Sequence, residues 1–333
     1  MNELNNAGTL RFDPIYKDYI WGGTRIAERY GRAGTPKCCA ESWEISAHPD
    51  GPSRVADGPL AGETLAALTE RFGRELLGRR APEERRFPLL FKLIDAHDKL
   101  SVQVHPSPAD PAADPAEYKN ECWHCLDTED GSRIYAGFLP SFASKAAVEA
   151  ALTGGGAAIH HALLWHVPHP GETLYIPAGL CHAIGAGNLI YEVQQNSNTT
   201  YRLYDWGRRM ADGTTRPIHK KKGLRSLDLS LPEPAFQAPK QEVGSALLLC
   251  LKTPYFTIRE HRGDSGAAEL APGGETFHAL FVKAGAYRVE TAEGAAATLR
   301  AGDSALVPAC QKRYRLAPLE AGAAALVTTV GEE

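Results

Sequence analysis

Two stretches decide the fold: Ser101-Val-Gln-Val-His-Pro106 and Gly171-Glu-Thr-Leu-Tyr-Ile-Pro177-Ala-Gly179-Leu-Cys-His182. Side chains alternate along a strand, so Gln103 and His105 share one face while Val102 and Val104 point into a core. His182, just past the Pro177-Ala-Gly179 turn, is placed to return a second imidazole from a distant strand. Glu121, between them in sequence, offers an anionic oxygen. Two imidazoles, one carboxylate and one amide suit a divalent ion such as zinc, with water or substrate in a remaining position. A single such residue is more often a satisfied polar group than a ligand. The shared face of Gln103 and His105 and the intervening carboxylate favour the ligand reading.

Working outward, strand-like segments dominate. Leu90-Phe-Lys-Leu-Ile, Thr173-Leu-Tyr-Ile, Leu189-Ile-Tyr-Glu-Val, Tyr255-Phe-Thr-Ile-Arg, Ala279-Leu-Phe-Val, Ala286-Tyr-Arg-Val-Glu and Ala324-Ala-Leu-Val-Thr-Thr-Val read as short strands. Gly-, Pro- and Asp-rich turns separate them, which favours a barrel or sandwich over βαβ units. Helices are few. Leu65, Leu68, Phe72 and Leu76 give helical spacing from Gly62 to Leu77, and a second helix is expected from Ser144 through Val148 and Leu152 to a stop at Gly154. The Pro-rich stretch 231–241 reads as a linker, and Lys220-Lys-Lys222 as an exposed turn.

The spacing Gly171-x5-Pro177-x-Gly179-x2-His182 resembles the second signature of the cupin barrels, and Gln103-x-His105 stands where many cupins carry His-x-His. Several ordered blocks narrow the resemblance to the zinc-dependent type I mannose-6-phosphate isomerases, in their short bacterial form. They are Pro14-Ile-Tyr-Lys-Asp-Tyr-Ile-Trp-Gly-Gly23, Glu41-Ser-Trp-Glu-Ile-Ser-Ala-His-Pro49, Leu90-Phe-Lys-Leu-Ile-Asp-Ala96, Lys99-Leu-Ser-Val-Gln-Val-His-Pro106, Lys119-Asn-Glu-Cys-Trp123 and Gln194-Gln-Asn-Ser-Asn-Thr-Thr-Tyr-Arg202. The resemblance implies one zinc per chain on Gln103, His105, Glu121 and His182. It also implies functional groups at Lys92, Lys119, Glu192 and Arg202, with the arginine helping the transition state. One position departs from the pattern: the segment before that arginine usually carries an Asp, and here Asn198 stands in its place.

Beyond the linker, Gly302-Asp-Ser-Ala-Leu-Val-Pro308 repeats Gly-x5-Pro, but Ala309, Cys310 and Gln311 follow where Gly and His are needed. The expected architecture is therefore mainly β: two cupin (jelly-roll β-barrel) domains with a few short helices. Residues 1–235 form the metal-binding catalytic domain. Residues 242–333 form a second, cupin-like domain without metal ligands, in which His278 is structural.

Composition sets bounds. In 333 residues, 43% hydrophobic content is ample for a core, and a net charge of −4 gives no general attraction to nucleic acid or anionic membranes. No charged-then-apolar leader and no apolar run near ~18 residues is found, so neither export nor a membrane span is indicated. Seven cysteines, an odd number with Cys38 and Cys39 adjacent, do not look like a disulfide framework, and a reducing cytoplasm is expected. Cys122-Trp-His-Cys125 has a metal-like spacing but lacks the second pair that a structural zinc site requires.

Interconverting an aldose and a ketose phosphate moves a proton between C1 and C2 through an enediol. That calls for charge stabilisation at the carbonyl oxygen, an acid/base group, and cations for the phosphate. Lys119 lies two residues before Glu121 and shares its face if that stretch is extended. Lys119, Glu192 and Arg202 are the candidate catalytic groups, and Lys92, Lys99 and Ser101 the candidate substrate-binding ones. Each has a plainer account: solvated lysines, a barrel salt bridge for Glu192, a stacked arginine for Arg202. The expectation is a mannose 6-phosphate/fructose 6-phosphate isomerase, a monomer or weak homodimer. A cupin isomerase of another sugar phosphate and a non-catalytic sugar-phosphate-binding protein remain open alternatives, as do the choice among zinc, manganese and cobalt and the identity of the proton carrier. An iron dioxygenase fits less well, because Gln103 is a poor ligand for it.

Overall fold

The computed structural model describes residues 3–153, 156 and 158–332. Its strands are antiparallel and form four sheets of six, five, eight and four strands. The six-stranded sheet runs Thr173–Ile176, Glu121–Thr128, Asn188–Gln195, Leu89–Ala96, Glu41–Ile45 and Ile15–Lys17. The five-stranded sheet runs Tyr201–Tyr204, Val102–Val104, His182–Ile184, Ile134–Phe138 and Leu163–His166. Trp21, Ile94, Trp123, Ile134, Ile176 and Ile190 form a core cluster drawn from both sheets.

Strand Leu89–Ala96 is buried along its whole length, which explains its nearly unbroken apolar sequence. Its alternation still sorts the side chains. Lys92 lines a cavity with Ile94, while Phe91 and Leu93 join a second cluster with Phe256, Phe277 and Phe281. Strand Asn188–Gln195 does the same: Glu192 lines that cavity, while Tyr191 stacks on Phe281 with ring centroids 4.5 Å apart.

The eight-stranded sheet holds Lys240–Gln241, Leu248–Lys252, Phe256–Arg262, Ala324–Val330, His278–Ala284 and Ser304–Val307. It also contains two strands from the beginning of the chain, Leu10–Asp13 and Arg54–Val55. Leu10 pairs with Leu306, and after Pro14 the chain enters the six-stranded sheet, where Ile15 pairs with Trp43. The N-terminal residues thus bridge sheets built from distant parts of the sequence. The four-stranded sheet, Ala268–Leu270, Tyr314–Pro318, Ala286–Thr291 and Ala296–Arg300, shares a core cluster with the eight-stranded one through Leu280, Tyr287, Leu299 and Val327.

Three local expectations change. The segment Gly62–Leu77 is two helices, Leu65–Phe72 and Arg74–Leu77, because Gly73 at φ +47° interrupts the ladder; Thr64 caps the first, its side chain accepting from Ala67 N. Lys220-Lys-Lys222 opens a helix, Lys220–Ser226, instead of a turn. The stretch 231–241 is also pinned: Gln237 and Thr173 exchange two backbone hydrogen bonds, and Leu231 and Phe236 pack on the cluster containing Trp123. The helix expected from Ser144 spans Lys145–Ala151, capped by Ser144, and its expected stop at Gly154 lies outside the described residues. His278 is buried with Nδ1 3.0 Å from the Tyr314 hydroxyl.

Candidate active site

Three strands bring the metal-ligating candidates together. In the five-stranded sheet Gln103 sits between its register partners His182 and Arg202, with His105 just past the end of the strand Val102–Val104. Glu121 opens a strand of the opposite sheet. His105, Glu121 and His182 are fully buried and each offers a ligand atom within 4.8 Å of the others. Among the described residues this is the one such group of His, Cys, Asp or Glu. Cys122 and Cys125 are buried on their strand and belong to no such group.

Both imidazoles are fixed in one tautomer. His105 Nδ1 donates to the Thr199 carbonyl at 3.1 Å, and His182 Nδ1 donates to the Leu180 carbonyl at 2.8 Å. Each ring therefore turns an unprotonated Nε2 toward Glu121, at 3.2 Å for His105 and 3.4 Å for His182. Burial, reinforced by Lys119, pushes the His105 pKa down to about 4 and so keeps that ring neutral. Burial would raise the Glu121 carboxyl, but Lys119 and the imidazoles outweigh it and hold its pKa well below the usual range. Among the described residues neither Glu121 oxygen receives a well-formed hydrogen bond, although Lys119 Nζ stands 2.6 Å from Oε2 and 3.3 Å from His105 Nε2. A deprotonated carboxylate and two neutral rings converging their lone pairs form a donor set that fits a divalent cation.

Gln103 is next to this set but presents nitrogen: its Nε2 is 3.3 Å from His182 Nε2, and its Oε1 accepts from Ser101 Oγ at 3.0 Å. A half-turn of the amide exchanges the two atoms, and Ser101, an acceptor as well as a donor, satisfies either orientation.

Beside the cluster lies a cavity of about 270 Å³. Of the catalytic and substrate-binding candidates, Lys92, Ser101, Lys119, Glu192 and Arg202 line it, together with the metal-ligand candidate Gln103. Lys99 does not; its ammonium sits 4.7 Å from the centre of the Trp206 ring. Lys92 Nζ is 3.1 Å from Glu192 and 3.6 Å from Glu41. Burial pulls its pKa down, and the two carboxylates reverse the effect, leaving it above the ordinary lysine value. Glu192 Oε1 also accepts from Trp123 Nε1 at 3.1 Å, and Glu41 Oε2 accepts from Trp43 Nε1 at 2.7 Å. Arg202 donates from Nη1 to the Pro217 carbonyl at 2.8 Å; burial and then Arg216 hold its pKa below the ordinary value.

The cavity contains groups not singled out from the sequence: Tyr19, Trp21, Glu41, Trp123, Thr200 and Arg216. Trp21, Glu41 and Trp123 stand inside the blocks that carry the family resemblance, so that signal was present. Arg216 lies outside them, and only the fold brings it in. A larger cleft of about 1350 Å³, bordered by Arg80, Arg86, Lys252 and Tyr255, is lined by none of these groups. Its arginines Arg79, Arg80 and Arg86 are paired with Glu275, Glu332 and Glu83 in turn.

Comparison with known proteins agrees with this geometry. A family model described as phosphomannose isomerase type I, catalytic domain, matches residues 9–124. The chain is 40% identical over 230 residues to mannose-6-phosphate isomerase ManA of Bacillus subtilis, covering 67% of this chain and 70% of that protein. It is 36% identical over 241 residues to the mannose-6-phosphate isomerase of Streptococcus mutans, covering 72% and 74% respectively. The crystal structure of a mannose 6-phosphate isomerase from Bacillus subtilis superposes with a TM-score of 0.84 at 29% identity, over 96% of this chain and 99% of that one.

Proposed function

The chain belongs to the type I phosphomannose isomerases, and from that premise we propose that it interconverts mannose 6-phosphate and fructose 6-phosphate. The observation that carries the proposal is the junction of a His105–Glu121–His182 ligand cluster with a cavity holding Lys92, Lys119, Glu192 and Arg202. His105, Glu121 and His182, with Gln103 as a fourth ligand, would hold one zinc ion, which would supply a positive charge to polarise the substrate carbonyl.

The protein's own groups supply the rest. Lys119 Nζ, beside the cluster, and Glu192 Oε2, 3.1 Å from Lys92 Nζ, are the atoms that exchange the proton between C1 and C2. Lys92 fixes Glu192 in place through their 3.1 Å contact. Arg202, the register partner of Gln103, faces the negative charge that develops on the enediolate oxygen. Trp21 and Trp123 wall the cavity and limit water around the intermediate. No helix among the described residues is long and apolar enough to cross a membrane, and seven free cysteines suit a reducing compartment such as the cytoplasm.

The test is a coupled assay of fructose 6-phosphate formation from mannose 6-phosphate, alongside a panel of other aldose phosphates. Preferential turnover of mannose 6-phosphate is expected. A folded, metal-loaded sample that turns over only another sugar phosphate, or none, would overturn the assignment.

A further inference from the structure

The charges around the cavity balance in number but not in place, because Lys92 takes two carboxylates. Lys92 is matched by Glu192 and Glu41, and Lys119 by Glu121. Two arginines remain, Arg202 and Arg216, close enough for Arg216 to depress the Arg202 pKa. Among the described residues one carboxylate serves them: Asp205, which accepts from Arg216 Nε at 2.9 Å and from Nη2 at 2.5 Å. Arg202 has a backbone carbonyl on one Nη, and its Nε is buried without an acceptor among the described residues. This side of the cavity therefore carries one guanidinium charge more than its carboxylates neutralise, together with an orphaned donor. Both features call for an anion.

We propose that Arg216, held by its fork on Asp205, anchors the phosphate of the sugar phosphate substrate. The inference rests on the isomerase reading and assigns a residue to one end of its substrate. Arg202 is the register partner of Gln103 and so sits at the ligand-cluster end of the cavity. Arg216 comes from the loop after the strand Tyr201–Tyr204 and contributes to the same wall. Asp205 occupies Nε and Nη2, leaving Nη1 as the nitrogen a ligand can take. Because the fork already fixes the side chain, little rotamer entropy is lost when the phosphate arrives. Of the other basic groups nearby, Lys99 lies on Trp206, Lys220 beside Glu149 and Lys222 over Tyr201, while Arg208, held by Asp98 and the Lys99 carbonyl, is not among the groups lining the cavity.

Two measurements on the full chain test this. In steady-state kinetics Arg216→Ala should raise the KM for mannose 6-phosphate by about ten-fold or more and change kcat by less than about three-fold. Arg216→Lys, which keeps a charge but not the fork, should fall between the two. In calorimetric titration with inorganic phosphate, Arg216→Ala should weaken binding by about the same ten-fold factor. Metal content should remain that of the unsubstituted protein. A KM and a phosphate affinity both within about two-fold of the unsubstituted protein for Arg216→Ala would overturn the proposal, as would a loss confined to kcat. The phosphate titration needs no turnover, so failure of the isomerase assignment and failure of the Arg216 assignment give different results.

Discussion

Asn198 Nδ2 donates to Asp50 Oδ2 at 2.8 Å, at the edge of the cavity. An Asp at this position, the residue the resemblance leads one to expect, would set two carboxylates against each other here. Asp50 is 56% exposed, so the repulsion is softened by water. Asn198→Asp should therefore change kcat/KM by no more than about three-fold, equivalent to ~0.7 kcal/mol, in the coupled assay. A loss of about a hundred-fold would show that the amide itself is required. At this scale the sequence was most legible where chemistry is concentrated. His105, Glu121 and His182 converge as their types and spacing imply. It was least legible where a role depends on direction. Lys99 neighbours Ser101 in sequence, yet its side chain leaves the cavity for Trp206, and Arg216 enters from a loop that no local pattern marks.

The turn Pro177-Ala-Gly179 shows how one element positions a ligand. Leu180 N bonds back to the Pro177 carbonyl, and Leu180 O then orients His182. Gly179 has φ +90°, and a Cβ there would stand 3.0 Å from both Ser107 Oγ and the Ser226 carbonyl. Gly179→Ala should cost about 1–3 kcal/mol through backbone strain and crowding. It should lower the melting temperature and weaken metal retention together, as read by thermal unfolding and metal titration. An unchanged melting temperature would contradict this account of the turn. Element boundaries were the weaker part of the sequence reading. Thr173–Ile176 and Ala324–Val330 match their expected ends because polar or Gly-rich turns flank them. Helix Leu65–Phe72 ends early because the same apolar stripe continues past Gly73, where the backbone conformation, not the pattern, breaks the helix.

At the scale of the molecule, strand pairing between Leu10–Asp13 and Ser304–Val307 joins the two ends of the chain. Such long-range pairing leaves no periodic signature, which is why it was not legible in the sequence. The same sheet buries His278, whose pKa is lowered to about 4 by burial first and then by Arg259 and Arg80, with Glu332 opposing. The folded state therefore keeps this ring neutral where the unfolded chain, with a pKa near 6.5, takes up a proton. Stability conferred by the neutral ring is present above about pH 6.5 and declines by about 1.4 kcal/mol per pH unit between there and about pH 4. Denaturant unfolding across that window should show the decline, and His278→Gln should flatten it by about one proton. An identical slope in both proteins would place the acid sensitivity elsewhere.

The most direct measurement strips the metal with a chelator, then follows bound ion and mannose 6-phosphate turnover together as zinc is returned, in the unsubstituted protein and in Glu121→Ala. The account predicts that activity and ion are lost together, that about one zinc per chain restores both, and that Glu121→Ala recovers neither. Full turnover by the metal-free protein, or stoichiometric zinc binding by Glu121→Ala with normal activity, would contradict it.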